Sequence, residues 1–149
     1  MKVLIGIDAS PHADTVLRWV MRTPWPRDTR FLVLSAVPTR MAAYSLIEVG
    51  GMRAVESLQQ ENMEAHQELV SGAERELRTA GLATEGIVEP GDPREVLIRT
   101  AESKGVDMVV VGSHGRTGLA RLLVGSVASH VATHAPCTVV IVRQTPAAR

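Results

Sequence analysis

Short apolar runs of strand length alternate with segments of helical spacing along the chain, and this alternation is what most constrains its fold. The clearest run, Met108 to Val111, is apolar at every position, as buried parallel strands are. Strands that alternate with helices through short links imply a parallel sheet with helices on both faces. We therefore predict an α/β fold with an open, doubly wound, five-stranded parallel sheet. The predicted strands are Lys2 to Ile7, Thr29 to Val37, Leu82 to Val88, Met108 to Val111 and Thr138 to Val142.

Capping residues mark several helix ends. Ser10-Pro11 is the pattern of an N-cap followed by proline at the first helical position. Asp92-Pro93 repeats it, with Glu95 three positions after the cap. Gly81 and Gly105 are placed to end the second and third helices in the left-handed conformation.

The segment after the second strand is the least regular part of the chain. Thr39 to Ile47 shows no clear period and is predicted to be a loop able to fold over a ligand. Beyond Gly50-Gly51 we expect a helix that continues to Ala80, with a weakly amphipathic first half where it can fray or break. Leu82 to Val88 is less apolar than the other strands, which favours a position near a sheet edge.

Composition bounds the class of protein. With 149 residues, the chain suits one domain spanning residues 1–149. Its 16 Lys plus Arg balance 16 Asp plus Glu, so nothing suggests binding to nucleic acid or to an anionic membrane. The single cysteine, Cys137, cannot form an internal disulfide. The first apolar run is too brief for a signal peptide, and no run approaches the roughly 20 residues of a membrane span. These features predict a soluble cytoplasmic protein.

A glycine-rich segment follows the fourth strand. Such glycines let backbone N–H groups converge on an anion, and a helix N-terminus adds further donors. Gly125 inside one continuous helix would cost about 1 kcal/mol relative to alanine. We therefore expect a new helix to start at Gly125-Ser126, with Ser126 as its cap and with Val127 and Val131 facing inward. The glycines are Gly112, Gly115, Gly118 and Gly125.

The first and fourth strands are predicted to be neighbours where the winding direction of the sheet reverses. Ligands bind at such switch points, beyond the carboxyl ends of the strands. Asp8 and the glycine segment would then face one crevice. The structural alternatives are that Asp8 only caps a turn and that the glycines form a crossover with several turns.

This glycine pattern differs from two common nucleotide motifs. No Gly-Lys-Ser/Thr follows, as in a Walker A loop, and the glycines come too late in the chain for a Rossmann fingerprint. Apart from Asp8, no residue near the glycines is an obvious base for hydrolysis. A phosphate-binding protein is favoured over an efficient hydrolytic enzyme.

The spacing Gly112-x2-Gly115-x9-Gly125-Ser126 closely resembles the signature of the universal stress protein family, in its UspA-like, ATP-binding branch. The resemblance extends through KVLIGIDAS, EPGDPREVLI and APCTVVIVR. It implies a Rossmann-like fold of the adenine nucleotide alpha hydrolase type. It also implies a nucleotide-dependent stress-response switch or adaptor, a binder or slow ATPase with at most slow ATP hydrolysis. The family branch that lacks the glycines implies the alternative, a nucleotide-independent dimeric interaction protein.

The resemblance also implies roles for individual residues. Asp8 would lie near the ribose, the phosphates or a bound Mg²⁺ ion, with Ala9 and Ser10 beside it. Ala36 and Val37 would contact adenine through backbone groups. The residues implied for the ribose and phosphates of ATP are Gly112, Gly115, Gly125 and Ser126, with Val127 beside them and His114 and Arg116 at the rim. His114 is equally explained as an exposed loop residue.

Three further features have both a structural and a functional interpretation. His130 and His134 have metal-ligand spacing on a helix, but no third ligand is apparent, which favours a solvated face. Cys137 is better explained as a small apolar filler than as a redox centre. The apolar last strand, Thr138 to Val142, has no following strand to shield it, so we expect a homodimer joined there. The alternative is that the short C-terminal tail covers this edge.

Overall fold

The computed structural model describes residues 1–38, 43–113 and 124–143; in the helix that begins at Ala43, side chains are described at residue 53 and from residue 55 onward. Strands and helices alternate along these residues. In chain order they are β1 Lys2–Gly6, α1 His12–Arg22, β2 Arg30–Val37, α2 Ala43–Thr79, β3 Ala83–Pro90, α3 Pro93–Lys104, β4 Met108–Gly112, α4 Ser126–His134 and β5 Thr138–Val142.

The strands form one parallel sheet in the order β3-β2-β1-β4-β5. β1 is central, and its Ile5 pairs with Val33 of β2 and with Val110 of β4. The winding direction reverses between β1 and β4, which confirms the predicted doubly wound α/β fold. The edge positions predicted for the third and fifth strands are also confirmed.

Two apolar cores lie on opposite faces of the sheet, because successive side chains of a strand point to opposite sides. One face packs against α1 and α2, the other against α3 and α4. Each fully buried aliphatic side chain contributes about 1.5–3 kcal/mol. Representative residues are Val3, Ile5, Val16 and Leu77 on the first face, and Leu4, Leu34, Leu97 and Val131 on the second.

The third helix begins and ends as its sequence predicts. The Asp92 side chain accepts a hydrogen bond of 2.9 Å from the Arg94 N–H, which satisfies one of the unpaired donors of the first turn. Gly105 ends the helix with a φ of 57°, a left-handed conformation that glycine adopts without steric cost. These two residues fix where α3 begins and ends.

The starts of α1 and α4 each differ by one residue from the prediction. In α1 the N-cap position is Pro11, and the buried Ser10 hydroxyl caps nothing. Instead, the Asp8 carboxylate accepts the Ser10 N–H at 3.1 Å. In α4 the N-cap is Gly125 and Ser126 is the first helical residue. Ser10 and Ser126 were predicted as caps because serine favours that position, but the chain turns one residue away from each.

The loop predicted from Thr39 to Ile47 is wrong for residues 43–47, because α2 begins at Ala43 and runs through Gly50-Gly51 without a break. Residues 39–42 lie outside the described part of the chain. A regular apolar stripe is present where α2 packs on the sheet, at Val70, Ala73 and Leu77. Residues 56–62 are exposed and carry no such stripe, so hydrophobic periodicity could not detect the helix there. Gly81, with a φ of 83°, follows its end as predicted.

Candidate functional site

A cavity of about 340 Å³ opens at the carboxyl ends of the central strands. Ile7 and Asp8 line it at the exit of β1, Ala36 lies at the end of β2, and Val111 and Gly112 lie at the end of β4. Parallel strands bring their carboxyl ends to one side of the sheet, so three separate chain segments meet here. The cavity therefore lies at the switch point that the sequence predicts.

The start of α4 forms one wall of the cavity through Gly125, Ser126 and Val127. The first N–H groups of a helix have no acceptor within that helix and carry a partial positive charge. The Gly125 N–H itself donates to the carbonyl of Ser113 at 2.7 Å. Gly125 thus holds α4 against the end of β4, and the donors for an anion are the amides that follow it.

Side chains from α1 and its preceding turn form part of the opposite wall. Asp8 and His12 both line the cavity, together with Ala13 and Val16. The Asp8 carboxylate accepts the Ser10 N–H, which fits the predicted turn-capping role. The same carboxylate borders the cavity, so the structural and functional interpretations of Asp8 are compatible. Sequence analysis did not identify His12, although its place in the first turn after Pro11 was a signal.

A second histidine reaches the cavity from α2. His66 is buried and lines the wall, and its Nδ1 lies 2.8 Å from the Ser35 hydroxyl oxygen of β2. Sequence analysis missed both residues. Each is a polar residue within an apolar pattern, which could have identified it. Ser35 lies inside the run FLVLSAV, and His66 is in helical register with Val70, Ala73 and Leu77.

Not every residue implied for the nucleotide lies on the cavity wall. The carbonyl of Val37 accepts the Gly91 N–H at 2.8 Å, which joins the end of β2 to the turn before α3. Ala9 is exposed and Ser10 is buried beside the wall. His114, Gly115 and Arg116 lie outside the described residues. Those on the wall are Asp8, Ala36, Gly112, Gly125, Ser126 and Val127.

The α3 N-terminus completes the cavity through Pro93 and Leu97. Next to them, hydrogen bonding by the Arg94 side chain and backbone lowers the pKa of Asp92 to about 2. Glu95 lies 3.6 Å from His130 Nε2 and links α3 to α4. Asp92 is therefore ionised at neutral pH and caps the helix as a carboxylate.

The remaining candidate residues make local contacts. His130 and His134 stack with ring centroids 4.2 Å apart, and His134 Nδ1 lies 2.9 Å from the His130 carbonyl. Among the described residues no group of three His, Cys, Asp or Glu side chains could hold a metal ion. Cys137 packs partly buried against the second core, and burial followed by nearby Asp107 raises the pKa of its thiol. Cys137 thus fits the interpretation as a filler.

Residues 1–143 match a family model described as the universal stress protein family. The chain belongs to this family. Universal stress protein Sll1388 of Synechocystis is 26% identical over 149 residues, which cover 95% of this chain and 97% of that protein. Universal stress protein MJ0577 of Methanocaldococcus jannaschii is 27% identical over 153 residues, 96% of this chain and 94% of that protein.

Two solved structures of family members have the same fold. The structure of MJ0577 aligns with a TM-score of 0.84 at 25% identity and covers 98% of this chain and 97% of that one. A universal stress protein of Arabidopsis thaliana with AMP bound aligns with a TM-score of 0.71 at 18% identity, covering 97% and 92%.

Chemically, the cavity of this family member has two distinct ends. At the start of α4, backbone amides and a helix dipole can bind an anion. At the end of β2, Leu34, Ala36 and Pro38 form an apolar surface suited to a flat ring. Asp8 provides a carboxylate, the ligand type that Mg²⁺ prefers.

No helix in the described part of the chain has the length and apolar character to cross a membrane.

Proposed function

We propose that this protein binds an adenine nucleotide, ATP with Mg²⁺, in the cavity at the carboxyl ends of β1, β2 and β4. The observation that carries the proposal is the meeting of three groups at one switch point: the α4 N-terminus, the Asp8 carboxylate and the apolar surface beside Ala36. The helix N-terminus suits the phosphates, the carboxylate suits the divalent cation, and the apolar surface suits the base. The AMP held by the Arabidopsis relative supports the ligand class.

The phosphates lie at the start of α4 in this proposal. The amides of Ser126 and Val127 belong to the first helical turn, where backbone donors and the helix dipole favour anions. Gly112 lets the chain leave β4 close to the ligand. For Gly115, which lies outside the described residues, we propose the phosphate role that the family resemblance implies. For His114 and Arg116, which lie outside the described residues, we propose the place at the rim of the phosphate site that the family resemblance implies.

The base lies toward the end of β2. Leu34, Ala36 and Pro38 offer apolar contact to a purine ring. The backbone of Ala36 and Val37 is the proposed source of hydrogen bonds to the base edge. Because the Val37 carbonyl already accepts the Gly91 N–H, the base can use only its second lone pair.

Nucleotide occupancy, with at most slow hydrolysis, is the proposed signal of a stress-response switch or adaptor. Asp8 is the one carboxylate on the described cavity wall, and one of its oxygens accepts the Ser10 N–H. Its remaining oxygen atom can contact Mg²⁺, and an Asp engaged in this way is a poor base for activating water. The protein would act in the cytoplasm, where a lone cysteine stays reduced.

The test is to identify the nucleotide that copurifies with the protein. Mass spectrometry of the denatured sample is expected to detect ATP or its product, and calorimetry of stripped protein is expected to detect ATP binding that Mg²⁺ strengthens. Absence of both would contradict the proposal and favour a nucleotide-independent interaction protein. Turnover of about 1 per second or more would instead identify an ATP-consuming enzyme.

A homodimer joined through β5 is part of the proposal. The two sheet edges differ, since β3 carries Glu85, Glu89 and Pro90 whereas β5 reads TVVIV. Charges and proline discourage pairing of an edge strand with another chain, and an uninterrupted apolar edge invites it. Light scattering at micromolar concentration is expected to give twice the 16.0 kDa of one chain. A species of 16.0 kDa alone would contradict the dimer.

A further inference from the structure

His66 is a buried polar residue on an otherwise apolar helix face. It lies on α2 one turn before Val70, and the same face continues through Ala73 and Leu77 into the first core. Histidine at such a position loses hydration, which is unfavourable unless its ring nitrogens find partners. One partner is the Ser35 hydroxyl, buried in β2.

Ser35 links His66 to the exit of β1. The Ser35 hydroxyl donates to the Ile7 carbonyl at 2.9 Å, and its oxygen lies 2.8 Å from His66 Nδ1. A hydroxyl has one proton, so an oxygen that donates to Ile7 must accept from the imidazole. His66 therefore carries its hydrogen on Nδ1, and a chain of two hydrogen bonds runs from α2 to the residue immediately before Asp8.

The strand order indicates at which end of the cavity His66 lies. Ser35 belongs to β2, whereas Gly112 belongs to β4 and β1 lies between them. Adjacent strands are about 4.8 Å apart, so the two strand ends are separated by about 10 Å. His66 thus lines the end of the cavity that is remote from the α4 N-terminus.

We propose that His66 is a positioning residue for the nucleoside end of the cavity, acting through Ser35 on the Ile7 carbonyl; this rests on the proposed nucleotide function. The imidazole ring forms wall surface against the nucleoside, and its Nδ1–H holds the Ser35 hydroxyl in the orientation that fixes the end of β1. Loss of the Nδ1–H donor lets this wall surface move away from the nucleoside, while the turn at Asp8 is still held by its hydrogen bond from the Ser10 N–H. Such a loss weakens binding of the nucleoside and leaves the phosphate contacts unchanged.

Two amide substitutions separate this role from mere packing. Asparagine can place its side-chain N–H where His66 has Nδ1, whereas glutamine places its N–H near the position of Nε2. His66→Asn is expected to retain affinity within about twofold, and His66→Gln is expected to lose about tenfold, the equivalent of one hydrogen bond. Glutamine is the better helix former, so a helix defect predicts the opposite order.

The measurement is calorimetric titration of each variant with adenosine, AMP and ATP in Mg²⁺. The fold loss in His66→Gln is expected to be equal for all three ligands, because the missing contact is on the nucleoside. Gln67→Asn, at the adjacent exposed position of α2, is the matched control for the helix propensity of asparagine and is expected to bind like the unaltered protein.

The outcomes distinguish the two proposals. Equal affinities of His66→Asn and His66→Gln, or losses that grow with the number of phosphates, would overturn the role of His66 while the nucleotide function stands. Failure of the unaltered protein to bind any of the three ligands would overturn both. Nitrogen-15 NMR of the histidines is expected to detect a protonated Nδ1 in His66, and a bare Nδ1 would also overturn the inference.

Discussion

The two ends of the cavity differ in the groups that line them. At the start of α4 the wall is mainly backbone and small side chains, with Gly125 and Ser126 at the helix N-terminus. On the side of α1 and α2 the wall consists of side chains, including Asp8, His12 and His66. Backbone amides bind any anion of suitable size, whereas a carboxylate and two imidazoles can discriminate between ligands and between a ligand with and without its metal ion. Under the proposed function, the α4 end would provide affinity for phosphate and the α1/α2 end would provide selectivity.

The largest expected effect is at the backbone end. Gly125→Leu places a side chain next to the first amides of α4 and is expected to weaken ATP binding about a hundredfold, roughly 3 kcal/mol or two charge-assisted hydrogen bonds. The φ of −60° and ψ of 158° at this residue are accessible to leucine, so the fold is expected to persist. Calorimetry with ATP and adenosine measures the effect.

The control for Gly125→Leu is Gly72→Leu, because a Cβ added at Gly72 on α2 meets nothing within 4 Å. That variant is expected to bind ATP like the unaltered protein. An unchanged ATP affinity in Gly125→Leu would remove the phosphate site from α4 and with it the contrast between the two ends.

A smaller effect is expected at the side-chain end from Asp8→Asn. Asparagine retains an oxygen to accept the Ser10 N–H, so the turn is preserved while the negative charge is lost. We expect ATP affinity in Mg²⁺ to fall about tenfold, as for one lost charged contact, and affinity for AMP without Mg²⁺ to change little.

Asp14→Asn, which removes an exposed carboxylate from the first turn of α1, is the matched control for Asp8→Asn. The measurement is titration of both variants with ATP in Mg²⁺ and with AMP without Mg²⁺. If Asp8→Asn lowered both affinities equally, Asp8 would be a structural residue of the turn and not a metal ligand.

The smallest effect is on stability, at the N-terminus of α3 beside the cavity. Asp92→Ala removes the cap of α3 and is expected to lower the free energy of unfolding by about 1 kcal/mol, with little change in ATP affinity. Asp92→Asn retains an equally good cap and is the control. Thermal or denaturant unfolding measures both, and a loss of ATP affinity in Asp92→Ala would extend the binding site to α3.

The pH dependence of this cap follows from the pKa of Asp92, which hydrogen bonding with Arg94 lowers from 3.8 to about 2 in the folded protein. A folded-state pKa below the unfolded value stabilises the fold above pH 3.8, and the gain is lost as the pH falls toward 2. Solvent screening keeps the gain small because the carboxylate is largely exposed. Asp92→Asn is expected to remove this acid sensitivity, as unfolding measured between pH 2 and 5 would test.

The strands and helix ends were predictable where the local preference of each residue matches its position in the fold. The apolar run Met108 to Val111 predicted a buried strand, and Asp92 and Gly105 predicted the ends of α3, because strand burial and capping leave direct marks in sequence. The start of a helix at Gly125-Ser126 followed from the cost of glycine in a helix interior. The first half of α2 left no such mark, since an exposed helix face needs no apolar period.

The sequence by itself determined the α/β class, the edge strands, the switch point and the family. Only the tertiary structure decided which side chains meet at the cavity. His12, Ser35 and His66 come from three separate elements, and no spacing along the chain predicts that two of them share a hydrogen bond. The α4 end is local, because Gly112 ends β4 and Gly125 caps the next described helix along the chain, and local signals predicted it. The α1/α2 end is assembled by packing, so the contact of His66 with Ser35 exists only once α2 lies on the sheet.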